Sequence, residues 1–233
     1  MRIQRIFLLV SLVLISSALS RAQNAKEHFS RGVQKIERKN FKGAVIDFTK
    51  AIESDTIYQE AYYNRAIANY YLNLLENAKS DFSKSISLNP KDFDAFLFRG
   101  IVNYELQNYS TAVNDFTEVI LLNPENKDGY YNRGLAYTAQ IKFDNAIKDF
   151  NRCLEIDKDY AEAYVQLGNV MRKINNNNEA LEYYQKAINV DDDLSEPYLY
   201  IANIYKIRKQ YGKAIDNYNK SLEINPEQFE ALN

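Results

Sequence analysis

The fold is decided by a 34-residue stretch at residues 127–160, which reads KDGYYNRGLAYTAQIKFDNAIKDFNRCLEIDKDY. In its first half, Tyr130 and Gly134 are four residues apart, a spacing that places them on one face of a helix. After a short interruption, Ala146 and Phe150 restart the same kind of pattern. The stretch therefore predicts two antiparallel helices, here called A and B, joined by a short turn.

The same unit is written six times without a change of period. The alanine at position 20 of each unit is Ala44, Ala78, Ala112, Ala146, Ala180 or Ala214. The aromatic residue at position 24 is Phe48, Phe82, Phe116, Phe150, Tyr184 or Tyr218. The small residue at position 8 is Gly32, Ala66, Gly100, Gly134, Gly168 or Ala202. A fixed period of this length is typical of stacked helix-turn-helix repeats.

One hairpin of this kind cannot bury its own apolar face, so the copies are expected to stack into a continuous core. We predict an all-α solenoid of six repeats within one elongated domain at 25–228. The repeats occupy 25–58, 59–92, 93–126, 127–160, 161–194 and 195–228, and residues 229–233 repeat the opening of a seventh.

The register resembles that of the tetratricopeptide repeat family, and residues 130–137, YYNRGLAY, are close to the family's most recognisable helix A wording. The resemblance covers all six units. It implies a right-handed superhelix whose A helices line a concave groove that holds a peptide or a segment of another protein. It implies nothing about which ligand is bound.

Residues 1–22 do not belong to the repeats and have the pattern of a secretory signal peptide. Arg2 and Arg5 precede an almost wholly apolar run at 6–15, and small residues follow at 16–22. An uncleaved anchor is the competing interpretation, but the apolar run is shorter than the roughly 20 residues of a spanning helix. We therefore expect an exported chain, periplasmic or secreted, with no membrane insertion after cleavage.

Charge excludes one class of partner. Without residues 1–22, which hold three arginines and no acidic residue, the chain has 26 basic and 31 acidic residues, a formal charge of −5. A mildly acidic chain without a basic cluster has little attraction for phosphate backbones. Nucleic acid is not expected as a partner.

The sequence does not favour catalysis. Its single histidine, His28, occupies an aromatic slot of the first repeat, and its single cysteine, Cys153, occupies a core slot. No metal-ligand cluster, phosphate loop or nucleophile motif accompanies them. We expect no enzyme activity, no metal and no cofactor. The aspartates at 191–193 are interpreted as a solvated loop, since no calcium-binding spacing surrounds them.

The repeats differ from one another at two coupled positions. Arginine at position 7 and aspartate at position 23 occur together in the first four repeats and are both absent from the last two. Because one lies on helix A and the other on helix B, we predict a charge-assisted pair in each of four hairpins. These pairs are Arg31 with Asp47, Arg65 with Asp81, Arg99 with Asp115, and Arg133 with Asp149.

The resemblance also implies which helix A positions face a partner. The residues that match are Tyr63, Ile67, Tyr70, Leu97, Ile101, Tyr104, Tyr131, Leu135, Asn169, Arg172, Lys173, Asn203 and Lys206. They are apolar and tyrosine-rich in the early repeats and polar and basic in the last two, which would complement an amphipathic segment with an acidic end. Packing between neighbouring A helices is the alternative role for Tyr63 and Tyr131, and Tyr70 and Tyr104 are the better candidates.

Two asparagines depart from the family pattern. Asn69 and Asn103 stand where an aromatic residue is usual, so either their amides find partners within the stack or that layer is wetter.

The sequence thus predicts a non-catalytic scaffold that binds a protein or peptide. The alternative is an assembly component that self-associates or docks through its solenoid ends, because the last B helix has no expected cap.

Overall fold

The protein is described by a computed structural model over residues 2–227, with side chains from residue 19 onward. Most of the predicted signal peptide at 1–22 therefore lies outside the described side chains. The predicted start of a seventh repeat at 229–233 lies outside the described residues altogether.

Over residues 2–227 the chain forms twelve α-helices and no strand. The helices are α1 (Arg2–Glu37), α2 (Phe41–Ser54), α3 (Gln59–Tyr71), α4 (Leu75–Leu88), α5 (Phe93–Glu105), α6 (Tyr109–Leu122), α7 (Lys127–Ala139), α8 (Phe143–Ile156), α9 (Ala161–Lys173), α10 (Asn177–Val190), α11 (Ser195–Ile207) and α12 (Tyr211–Ile224). Each odd-numbered helix is the helix A of a repeat, and the following even-numbered helix is its helix B. The all-α fold of paired helices is the one predicted from the repeats.

The chain divides into two compact units, residues 1–118 and residues 119–233. The division falls inside α6 and not in a linker. Unit 1 contains α1 to α5 and most of α6, and unit 2 contains the end of α6 and α7 to α12. From α1 to α5 in unit 1 and from α7 to α12 in unit 2, each helix packs on the next one along the chain.

Each hairpin turns through one residue in the left-handed region. These residues are Lys39, Asn73, Gln107, Ile141, Asn175 and Lys209, with φ between 56° and 65°. Around each, two backbone hydrogen bonds close the end of helix A, as from Lys142 N to Tyr137 O (2.9 Å) and from Ile141 N to Thr138 O (3.1 Å). This pair of bonds is a Schellman motif, whose left-handed residue is usually glycine. No repeat has glycine there.

Close approach between helices A and B is set by the small residue at position 8. A methyl group added to Gly134 would lie 2.7 Å from the ring of Phe150, and one added to Gly168 would lie 2.5 Å from the ring of Tyr184. The rings of Phe150 and Tyr184 are fully buried. Alanine at the same position in the second repeat, Ala66, is also fully buried. The aromatic ring therefore fills the space that a larger residue at position 8 would occupy.

We predict opposite effects for the same substitution at two helical glycines. Gly134→Ala should lower the free energy of unfolding by about 1 kcal/mol. This is the difference between an overpacking cost of about 1–3 kcal/mol and a helix-propensity gain of about 1 kcal/mol. Gly212→Ala, where an added methyl group meets nothing within 4 Å, should raise it by up to about 1 kcal/mol. Urea unfolding of both variants checks this, and a stabilised Gly134→Ala would rule out close approach in that hairpin.

Candidate partner-binding site

Three of the four predicted charge pairs are brought together by the structure. The guanidinium group of Arg65 donates to both carboxylate oxygens of Asp81, at 2.8 and 2.7 Å. Arg99 donates to Asp115 at 2.6 Å. The two bonds from Arg133 to Asp149 are both 2.8 Å long. All three aspartates are buried, so each pair links helix A to helix B inside its hairpin.

The first repeat differs from this prediction. The Nζ of Lys35 lies 2.5 Å from Oδ2 of Asp47, while Arg31 lies 3.5 Å from Glu27 on its own helix. Lys35 is at position 11, one helical turn beyond Arg31, and its flexible stem reaches the same carboxylate. Burial raises the pKa of Asp47, but the hydrogen bond and charge of Lys35 outweigh it and hold the pKa below its usual value.

The two unusual asparagines complete the same network. Nδ2 of Asn69 donates to Oδ2 of Asp81 (3.2 Å), and Nδ2 of Asn103 donates to Oδ2 of Asp115 (2.9 Å). Both asparagines are buried. Of the two alternatives from the sequence, the amides find partners within the stack. Each buried carboxylate in these two repeats is thus shared between an arginine and an asparagine.

We predict unequal losses when the same aspartate is removed from repeats 1 and 3. Asp115→Ala leaves the partly buried Arg99 and the buried Asn103 without their acceptor, and should lower the free energy of unfolding by about 3 kcal/mol. Asp47→Ala should cost about 1 kcal/mol, because its partner Lys35 is more exposed, at 37 % of its side chain against 22 % for Arg99. Chemical denaturation of the two variants compares them, and equal losses would contradict the network.

The last two repeats join their helices by a different bond. The hydroxyl of Tyr184 donates to Oδ1 of Asn169 (2.8 Å), and that of Tyr218 donates to Oδ1 of Asn203 (2.7 Å). Earlier repeats have phenylalanine and an aliphatic residue at these positions. The tyrosine and the asparagine therefore together replace the phenylalanine and the aliphatic residue of the earlier repeats, and they bond to each other. Asn169 and Asn203, which we expected to face a partner, each use their side-chain oxygen inside the hairpin.

We predict that the Tyr184–Asn169 pair can be exchanged as a unit. Tyr184→Phe should cost about 1 kcal/mol of unfolding free energy, because Oδ1 of Asn169 loses its donor. The double variant Tyr184→Phe/Asn169→Leu copies the Phe150–Leu135 combination of the fourth repeat and should recover most of that loss. Thermal unfolding of the unmodified protein, Tyr184→Phe, Asn169→Leu and the double variant measures the coupling. A double variant at least as unstable as the two single losses summed would refute the match.

In unit 1, several expected contact residues serve mainly as packing. Tyr63, Ile67 and Tyr70 are half-buried against a cluster that contains Ala66 and Phe82. The ring of Tyr63 lies edge-on to that of Phe82, with centroids 5.7 Å apart, and burial raises the pKa of its phenol. Leu97 is only 9 % exposed. It lies in the core and offers little surface to a partner, while Ile101 is half-buried.

Tyr70 and Tyr104 keep more accessible polar ends. The hydroxyl of Tyr70, on α3, donates to Oε1 of Glu105, on α5, at 2.5 Å. Burial and then this bond raise the pKa of Tyr70 to about 12, so the hydroxyl keeps its proton. The ring of Tyr104 lies edge-on to Tyr109 at 5.4 Å. Both tyrosines line the A-helix side of unit 1 near the carboxyl ends of its helices.

In unit 2, the basic residues are the exposed part of the expected surface. Arg172, Lys173 and Lys206 are exposed, and none of them forms an ion pair with a residue that the structure describes. The guanidinium carbon of Arg172 lies 5.4 Å from the ring centre of Tyr200. Tyr131 and Leu135, by contrast, are half-buried against the cluster around Phe150.

The A helices of unit 2 also form a pocket of about 240 Å³. Its lining residues are Tyr131, Glu162, Val165, Gln166, Leu194, Glu196 and Tyr200. The two glutamates and Gln166 were not among the residues expected from the sequence. The sequence signal that could have identified the two glutamates is the acidic residue at position 2 of helix A, which occurs in repeats 2 to 6.

The single histidine and the single cysteine, His28 and Cys153, both lie in the part of the chain whose side chains are described. Nδ1 of His28 lies 3.6 Å from Oδ1 of Asp47, and Cys153 is fully buried, which raises its thiol pKa to about 12. Within residues 2–227, no group of three or more histidine, cysteine, aspartate or glutamate residues could hold a metal ion. In that same part of the chain, no helix combines the length and the apolar character needed to cross a bilayer.

A chain of consecutive helical hairpins with this spacing defines a helical repeat protein. Three family profiles described as tetratricopeptide repeat match it, over residues 59–92, 128–193 and 195–228. Together these ranges cover more than half of the sequence. The chain belongs to the tetratricopeptide repeat family, whose members are protein–protein interaction scaffolds and generally lack catalytic activity.

Solved structures share the fold at low sequence identity. PilW, described as a widely conserved type IV pilus biogenesis factor, is 18% identical with a TM-score of 0.75, over 88% of this chain and 94% of PilW. MamA from Desulfovibrio magneticus RS-1 is 21% identical with a TM-score of 0.70, over 72% of this chain and 96% of MamA. YrrB, described as a TPR protein with an unusual peptide-binding site, is 24% identical with a TM-score of 0.59, over 79% of this chain and 95% of YrrB. No protein with a curated description matches the sequence.

Proposed function

We propose that this protein is a non-catalytic scaffold that binds a peptide segment or a partner protein on its A-helix surface. The observation that carries this proposal is the pocket formed by α7, α9 and α11 in unit 2, which three A helices build together. Unpaired basic side chains on α9 and α11 add a polar edge to the same side of the unit. A pocket with both apolar and charged groups on rigid helices suits recognition of an extended or helical segment.

The basic residues on α9 and α11 indicate which kind of ligand segment would bind. Arg172 and Lys173 end α9, and Lys206 lies near the end of α11. These cations favour an acidic group on the ligand at the carboxyl ends of the A helices. YrrB, a protein of the same fold, is described as having a peptide-binding site, which supports a peptide as the class of ligand.

A second candidate function is assembly through the last hairpin. Ile207, Tyr211 and Ile215 are 71 %, 60 % and 57 % exposed. Large exposed apolar side chains on α11 and α12 favour association, and a second copy of this chain is one partner that would bury them.

We further infer that the protein is exported. The cationic, apolar and small-residue segments at residues 1–22 support this inference. PilW, which shares the fold, is described as a pilus biogenesis factor. The acidic charge of the remaining chain supports protein partners over nucleic acid.

Affinity capture with the full chain tests the scaffold proposal. The A-helix variant Arg172→Ala/Lys173→Ala/Lys206→Ala should lose at least about tenfold of its captured partner, because each lost contact to a charged group costs about 1.5–3 kcal/mol. The control Lys142→Ala/Lys148→Ala/Lys158→Ala removes the same charge from exposed positions on or beside α8 and should capture normally. Captured proteins are quantified by mass spectrometry.

The assembly alternative is separated by a third variant in the same experiment. Ile207→Ser/Ile215→Ser changes the terminal apolar surface, and light scattering reports the mass of each protein. The scaffold proposal expects this variant to capture the partner normally. If it alone loses both partner and oligomeric mass, while the A-helix variant behaves like its control, the assembly function replaces the proposed one.

A further inference from the structure

The pocket in unit 2 lies where the fifth repeat has a polar residue at position 6 of helix A, as the second and fourth repeats also do, and where the third repeat has an aromatic ring. In repeat 3, Phe98 at position 6 of helix A lies edge-on to Tyr63 of the preceding repeat, with ring centroids 6.1 Å apart. In repeat 5 the same position is Gln166, next to Val165. The pocket beside Tyr131 measures about 240 Å³.

The walls of this pocket are of two kinds. Tyr131, Val165, Leu194 and Tyr200 provide aromatic and aliphatic surface. Two of these residues are well fixed, since Val165 is buried and the ring of Tyr200 packs on that of Tyr184 with centroids 5.3 Å apart. A rigid apolar lining of this size suits one long side chain, because pockets for whole drug-sized molecules usually exceed about 300 Å³.

The charge of the pocket has one sign. Glu162 lies in the first turn of α9 and Glu196 in the first turn of α11, and both line the pocket. Both are exposed, and neither forms an ion pair with a residue in the described part of the chain. No lining residue carries a positive charge, so a cation on the ligand complements the lining.

We propose that this pocket binds a lysine or arginine side chain of the segment held on the A-helix surface. The proposal rests on the proposed scaffold function and specifies its ligand. A long basic side chain can lay its apolar stem along Val165 and Leu194 while its charged end reaches the carboxylates. The ring of Tyr131 favours a cation at short range, whereas the ring of Tyr200 already contacts Arg172 and Tyr184.

The resulting ligand has charges at two separated points. The basic residue lies at the amino-terminal ends of α9 and α11, where the glutamates are. The acidic group lies at their carboxyl-terminal ends, where Arg172, Lys173 and Lys206 are. Such a pairing orients the segment along the helix axes, because reversing it would place like charges together.

Acidic residues in a first helical turn also have a purely local role, since they interact favourably with the helix dipole. This role predicts lower helix stability when the charge is removed. It predicts no effect on the choice between a charged and a neutral ligand side chain, so ligand selectivity is the decisive measurement.

The test uses the full chain and two pools of fluorescein-labelled octapeptides. The pools are identical mixtures except at one fixed position, which is arginine in one and citrulline, its neutral isostere, in the other. Fluorescence anisotropy should show about tenfold tighter binding of the arginine pool. Glu162→Gln/Glu196→Gln should remove this preference, while the charge-matched control Glu182→Gln/Asp216→Asn, on exposed faces of α10 and α12, should keep it.

A second variant tests the pocket without changing charge. Gln166→Phe introduces the aromatic residue of repeat 3 and should fill the space, so that binding of the arginine pool falls to the level of the citrulline pool. Circular dichroism of each variant verifies that it is folded.

The outcomes separate this proposal from the scaffold function. Equal binding of both pools by the unmodified chain overturns the basic-residue pocket and leaves peptide binding in place. Binding of neither pool also overturns it, and partner capture by the Arg172/Lys173/Lys206 variant and its control then decides the scaffold function by itself. A preference that survives Glu162→Gln/Glu196→Gln or Gln166→Phe assigns the selectivity to another surface and rejects the pocket.

Discussion

The close contact between one small residue and one aromatic ring in each hairpin is the constraint on which this structure depends. Where glycine stands at position 8, the ring from helix B occupies the volume that any side chain would need, as Phe150 does against Gly134. The ring is fully buried, so it cannot move outward without opening the core. The distance between helices A and B is thereby set in these hairpins. The other residues of helix A are then held at a fixed distance from helix B.

The type of hydrogen bond that joins helices A and B depends on which aromatic residue stands at position 24. Repeats with phenylalanine at position 24 carry a buried carboxylate bonded to arginine, or to lysine in the first repeat. Repeats with tyrosine there use its hydroxyl to bond an asparagine of helix A. Charged pairs tolerate burial when further hydrogen bonds satisfy them, which Asn69 and Asn103 do. The change of chemistry after the fourth repeat thus has a structural basis that is separate from ligand binding.

The sequence was sufficient to predict the helices and their pairing, because a fixed period with small and aromatic residues at set positions has few other solutions. It was less informative about the turns, since left-handed residues such as Lys39 and Ile141 lack the usual glycine signal. Leu97 shows the limit of surface assignments from register: its helix A position was expected to face a partner, but the side chain is only 9 % exposed. The pocket in unit 2 was missed for a different reason. Its lining residues come from three successive A helices, and their common pocket is visible only when those helices are placed together.

The two kinds of hairpin bond also limit how such an array can change by duplication and exchange of its repeats. A helix A from the third repeat carries Arg99 and Asn103, and both require a carboxylate on the opposing helix. A helix B from the fifth repeat offers Tyr183 at that position and a hydroxyl from Tyr184 instead. A recombination point inside a hairpin would bury an arginine without a counter-charge, whereas one between hairpins would keep each arginine with its carboxylate. Whole hairpins, and not single helices, are therefore the units that can be duplicated or exchanged without loss of the bonds between helices A and B.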